Sequence, residues 1–247
     1  MRLSQAWIIA SKDIDIFRKK KSIFYSVIIF PLFVSVGLPL LIYLSSGESS
    51  GTADVQSGLP IVINAFAFFF IICASTLPTA IASYTIVGEK QEQSLEPLLA
   101  TPTTDSEILL GKCIGALLPP LVAIWIGGVI FMGLIDTFTF RLLGYPYFPN
   151  PVMAVIMLLL VPFAAITAVE VSVIISARVS DVRTAQQLGS LIVIPFALVY
   201  VLGEINVFPL TVLHLLIIAL IILVADRALF SLAVSTFRRE EILTRWK

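Results

Sequence analysis

Charge is what this sequence has least of. Asp, Glu, Lys and Arg make up 13% of its 247 residues, about half the share found in an ordinary soluble domain. So few charges cannot build a water-facing surface, so most side chains must face lipid or other protein. Acids and bases balance at 16 each, which leaves no basic excess for a nucleic-acid partner. The only cysteines, Cys73 and Cys113, lie in or beside apolar runs, where they read as small packing residues and not as a disulfide framework. The single histidine, His214, has no Cys or carboxylate at ligand spacing, so no metal site is expected. The phosphate-binding pattern Gly-x-x-x-x-Gly-Lys-Ser/Thr does not occur, so the chain is expected to bind no nucleotide, to hold no catalytic residues and not to be an enzyme. The first twenty residues are mixed polar, unlike the short basic start and short apolar core of a cleaved signal peptide.

Apolar residues are what the chain has in abundance: 58% of positions, with a mean hydropathy of +1.02. A hydrocarbon core of ~30 Å takes ~20 helical residues at ~1.5 Å each. Charge-free runs of that length predict an all-α integral membrane protein with six spans, at about 22–44, 59–87, 113–135, 151–176, 187–203 and 208–225. Residues 1–247 then form a single domain, with an interfacial helix over 1–21 and a tail over 226–247. With the N-terminus in the cytoplasm, Arg141 is the one basic residue left outside. Every other Lys and Arg, from Arg2 to Lys247, falls in an inner segment. This asymmetry predicts a plasma-membrane protein with both termini cytoplasmic.

Several spans contain proline, at Pro31, Pro39, Pro78, Pro119, Pro120, Pro162 and Pro195. Proline removes a backbone donor and bends a helix, which neighbouring helices make tolerable in a membrane. The positions predict kinks, and hinges if the protein changes shape. Ser45–Ser57 is Ser/Gly-rich and reads as a flexible outer connector. The other long outer loop, Asp136–Pro151, carries Phe138, Phe140, Tyr145, Tyr147 and Phe148, a cluster expected at headgroup level. Gly111-x-x-x-Gly115 at the start of span three fits a helix-packing motif.

The most specific stretch runs from Val87 to Lys112. Glu89, Glu92 and Glu96 share one helical face, and Leu95, Leu98 and Leu99 share a neighbouring one. Thr101-Pro102 stops that helix, because the residue before proline is pushed out of the helical region. Thr104 and Glu107 then form a capping box, Thr-x-x-Glu, that starts the helix of span three. The result is a short acidic, amphipathic helix in the cytoplasm. An anionic inner leaflet repels acid, so a protein partner is the better reading.

This stretch resembles the signature of the type-2 ATP-binding-cassette (ABC) exporter permeases. The matching residues are Glu89, Lys90, Leu95, Glu96, Leu98, Leu99, Ala100, Thr101 and Pro102, followed by Gly111 and Lys112. Gln93-Ser94 stands where Gly-Thr is usual, and Pro97 shortens the helix. The resemblance extends to span order along the whole chain. It implies the membrane permease subunit of an exporter, with two copies forming the path and two separate ATPase subunits docked below. This chain would carry no cofactor, and ATP and Mg would be used by the partner. Glu89, Lys90, Glu92, Leu95, Glu96, Leu98 and Leu99 would be the ATPase-coupling residues, in a coupling helix between spans two and three.

The N-terminal segment supports this. Trp7, Ala10, Ile14 and Phe17 recur at helical spacing and Lys19–Lys21 follow, the pattern of a helix lying on anionic lipid. By resemblance it is an elbow helix that helps hold the ATPase. Glu170 is the one acid inside an apolar stretch. A charge there costs about 2–3 kcal/mol, so it should either pair, with Lys112 or Arg183, or face a wet cavity. An ion-coupled secondary transporter working through Glu170 is the alternative function, and it would show repeat symmetry between spans 1–3 and 4–6. A non-transporting membrane scaffold is a third.

Overall fold

The computed structural model describes residues 3–47, 53–91, 104–205 and 210–236, and its described residues contain no strand. Among the described residues, six helices are long and apolar enough to cross a membrane: Phe24–Leu44, Gly58–Gln91, Ser106–Phe140, Pro151–Arg178, Val182–Glu204 and Val212–Thr236. They are called spans one to six below. A separate helix, Leu3–Lys19, precedes them.

The expected spans are all present, with longer ends in several places. Span three runs without interruption within the helix Asp105–Leu143, through Pro119 and Pro120. Its start is the capping box read from sequence. The Thr104 side chain accepts from the Glu107 amide, and the Glu107 carboxylate accepts from the Thr104 amide. Its end is Gly144, whose φ of 75° is the left-handed cap that glycine adopts without a Cβ penalty. Asn150 caps span four, its side chain accepting from the Met153 amide at 2.7 Å, with Pro151 in the first turn. Span six carries on as helix past position 225 to Thr236, so Asp226 and Arg227, given to the tail by sequence, are within it.

Helices approach each other where side chains are small. A Cβ on Gly127 would lie 2.6 Å from Ser35 Oγ of span one, and one on Gly189 would lie 2.8 Å from Ser172 Oγ of span four. Apolar crossings of this kind depend on close packing, since lipid offers no hydrophobic drive between spans. Span four packs on spans two, three, five and six, and its Leu160, Val161, Ala164 and Ala165 are buried in the main core with Phe70, Ile124 and Phe131.

The loop between spans three and four is folded inward. The Tyr147 and Phe148 amides both donate to Asp136 Oδ1 at 2.9 Å. Phe148 is buried against Phe131, so of the expected aromatic belt Tyr145 and Phe140 are exposed while Phe148 is core.

Candidate polar clamp at the foot of spans two and three

Two turns within the spans are π-helical, Tyr84–Gly88 at the end of span two and Ile156–Leu160 in span four. Such turns widen the helix and leave carbonyls open to other donors. Trp125 Nε1 donates to Met157 O at 2.9 Å in the second. In the first, the Lys112 ammonium donates to Thr85 O at 3.0 Å.

Lys112 is the centre of the site. It is 1% exposed, and Glu89 and Asp13 beside it are each 6% exposed. Its Nζ donates to Glu89 Oε2 and lies 3.8 Å from Asp13 Oδ2. Lys12 reaches the other Glu89 oxygen at 3.5 Å. Two cations and two carboxylates thus meet within the protein, and the charges balance. Burial pushes the Asp13 carboxyl up to about 6; Lys112 opposes that shift, the Glu89 charge adds to it, and Lys12 opposes it. A cavity of about 30 Å³ adjoins the cluster, lined by Asp13, Lys20, Tyr84, Thr85 and Glu89 among others. The Lys20 ammonium sits 3.7 Å above the Tyr84 ring.

The neighbouring residues extend the clamp to span four. Lys90 Nζ donates to Ser176 O at 2.9 Å and Ala177 O at 3.2 Å, the open carbonyls at that helix end. Gln91 Nε2 donates to Ser180 O at 3.0 Å. The N-terminal helix, the end of span two, the start of span three and the end of span four are therefore tied together by the side chains of Lys12, Glu89, Lys90, Gln91 and Lys112.

The N-terminal helix is also packed, not merely adjacent. A Cβ on Gly111 would lie 2.7 Å from Ala6 O and 2.8 Å from Ile9 Cβ, and one on Gly115 would lie 3.1 Å from Asp13 Cβ. The Gly111-x-x-x-Gly115 stripe is the seat of this helix. Its buried face is Ala6, Ile9, Ala10, Asp13 and Phe17, whereas Trp7 is 56% exposed. The sequence pattern sets Trp7, Ala10, Ile14 and Phe17 on one face toward lipid; Ala10 and Phe17 are buried against the bundle instead, and Trp7 is exposed. The difference follows from the seat, because two glycines accept alanine and leave no room for tryptophan.

Of the residues expected to couple to an ATPase, Glu89 and Lys90 are in the clamp. Glu92, Leu95, Glu96, Leu98 and Leu99 lie outside the described residues. Lys112, Asp13 and Lys12 were not among the expected site residues. The Gly-Lys of the family pattern pointed to Lys112, but nothing in the sequence pairs it with an acid of the N-terminal helix.

Glu170 does not form the expected pair. The Lys112 ammonium is taken by Glu89 and Thr85, and Arg183 lines a groove beside Ser26, Phe30 and Thr76. Glu170 is 5% exposed, and its Oε2 has no hydrogen-bond partner among the described residues. Its electrostatic neighbour is another acid, Asp226 of span six, which accepts from Thr167 Oγ1 at 2.6 Å. Among the described residues no group of three or more His, Cys, Asp or Glu could hold a metal ion.

No curated protein matches the chain closely. A protein family does, over residues 7–243, and it is described as ABC-2 family transporter protein. The match takes in the N-terminal helix, all six spans and the clamp between them, so it covers the architecture and not one motif. The chain therefore belongs to the ABC-2 transporter family and is a multi-pass membrane component of an ABC transporter.

Proposed function

We propose that this chain is the permease subunit of an ABC exporter, driven by ATP that separate subunits hydrolyse on the cytoplasmic side. Two copies would form the path and two ATPases would dock below them. In this reading the clamp end of the bundle and both termini are cytoplasmic, in the cell membrane, as the basic residues favour. The chain brings no cofactor, and ATP and Mg act in the partner.

The observation that carries the reading is the Glu89–Lys112 contact. These residues are the two feet of the segment that should receive the ATPase. A segment pinned at both feet transmits a push to spans two and three, where a loose one would absorb it by flexing. Lys90 passes the same displacement to the end of span four, and Asp13 and Lys12 pass it to the N-terminal helix. Energetic coupling is carried by networks of packed and paired groups with discrete arrangements, and a largely buried cluster of paired charges fits, since breaking one buried pair is costly.

The reading is tested by affinity purification through a tag on this chain, co-expressed with a candidate ABC ATPase from the same organism. The expected result is a co-eluting ATPase whose turnover the permease alone lacks. Transport by the permease alone, driven by an ion gradient without ATP, would overturn it.

A further inference from the structure

Beside the clamp, on the opposite side of Phe17, an apolar groove of about 460 Å³ runs between the N-terminal helix, span one and span three. Phe17, Phe24, Leu32, Val122 and Ile126 are among its lining residues, and Arg18 is the charged one among those described. Along span one the lining extends from Phe24 to Leu32, about 12 Å at the helical rise. One leaflet of the hydrocarbon core is ~15 Å deep, so the groove follows most of a leaflet. Two of its three bounding elements are membrane spans, and Val122 and Ile126 of span three are exposed along it, so it opens sideways toward lipid. Arg18, Lys19 and Lys21 are exposed at its head, whereas Lys20 is turned away onto Tyr84.

We propose that this groove is a binding site for one anionic phospholipid, with an acyl chain along Phe24, Leu32 and Val122 and its phosphate on Arg18. The charge complementarity selects the occupant. A guanidinium fork matches two phosphate oxygens, the exposed Lys19 and Lys21 beside it disfavour a cationic headgroup such as choline, and an apolar channel of leaflet depth matches the chain attached to that phosphate. The lipid wedges between the N-terminal helix and span one, so it supports from outside the helix that the clamp holds from inside. The site needs a lipid-facing groove and not a particular sidedness, so it stands apart from the transport reading.

The test uses the full chain purified in detergent, with phosphatidylglycerol, phosphatidylcholine of the same acyl chains, or inorganic phosphate added. Binding is followed by native mass spectrometry and by Tm. Phosphatidylglycerol should bind saturably, about tenfold tighter than phosphatidylcholine, a ratio that corresponds to one net charged contact, and it should raise Tm. Arg18→Gln should reduce that preference to near unity, Arg18→Lys should restore part of it, and Val122→Trp should block both lipids without lowering the lipid-free Tm. Equal binding of the two lipids to the wild type, or an unchanged preference in Arg18→Gln, would overturn the proposal. So would a Tm rise reproduced by inorganic phosphate alone. Loss of a dimer in Val122→Trp, with lipid binding unchanged, would assign the groove to a second copy of the chain and overturn it as well.

Discussion

Replacing Lys112 with methionine keeps an unbranched side chain one atom shorter and removes its charge. The variant leaves Glu89 and Asp13, each 6% exposed, without the buried ammonium between them, and the half-exposed Lys12 stays 3.5 Å from Glu89. It also leaves Thr85 O without its donor. Removing one partner of a buried ion pair costs about 3–5 kcal/mol, because the other charge stays behind. The open carbonyl adds about 1 kcal/mol. Part of this is recovered if the foot of span two shifts toward water, so a net loss of about 3 kcal/mol is expected. The companion variant Glu89→Leu with Lys112→Met removes both charges. Buried pairs replaced together by apolar groups are often neutral in stability, so the double variant should regain most of the loss. Thermal unfolding of both variants and of Glu89→Leu alone, in the same detergent, completes the cycle and isolates the pair term. In the coupled complex the double variant should still transport poorly, since its foot is stable but no longer tied by charge. The reasoning is refuted if Lys112→Met lies within 0.5 kcal/mol of wild type, an order-of-magnitude bound for surface changes, or if the double variant is no more stable than the single.

Gly111→Leu should unseat the N-terminal helix, because its Cβ alone would meet backbone at Ala6 O. Protease cleavage near Trp7 should accelerate while the six spans stay folded. Asp13 has a folded value of about 6 against 3.8, so between those values the native state binds more protons than the unfolded one. The stability this proton confers is complete below 3.8 and gone above about 6, at most about 3 kcal/mol. Asp13→Asn should therefore flatten the stability–pH profile over that window, measured by Tm from pH 4 to 7. Glu170→Gln replaces a buried carboxyl whose Oε2 has no partner among the described residues with a neutral amide of the same shape, so Tm should hold or rise by a few degrees. ATP-driven transport should continue, whereas loss of all transport in a normally folded variant would favour ion coupling.

The spans were legible because one physical quantity, about twenty apolar residues per crossing, decides them. The capping box at Thr104 and Glu107 was legible because its two bonds are local. The clamp was not, since Lys112 finds Glu89 across the segment between spans and Asp13 from the far end of the chain. Helical rise gave the depth of Glu170 but not its azimuth, and so Lys112 looked reachable. Asp226, the acid beside Glu170, itself ends the charge-free run at Ala225, so the sequence pattern leaves it in the tail. The glycine stripe was visible, but only the Cβ positions reveal that its partner is the N-terminal helix and not another span.

The central claim is that the segment between Glu89 and Lys112 receives force from an ATPase. Leu98→Asp places a charge where the leucine face should enter a groove on that partner. The direct measurement is retention of the ATPase on the tagged permease, with Tm of the permease followed in parallel. Buried apolar anchors dominate such contacts, so retention should fall by about a hundredfold, the equivalent of roughly 3 kcal/mol, with Tm unchanged. Reversing Glu92 or Glu96 to Lys should have a smaller effect that salt reduces. Full retention of the ATPase by a folded Leu98→Asp permease would contradict the account.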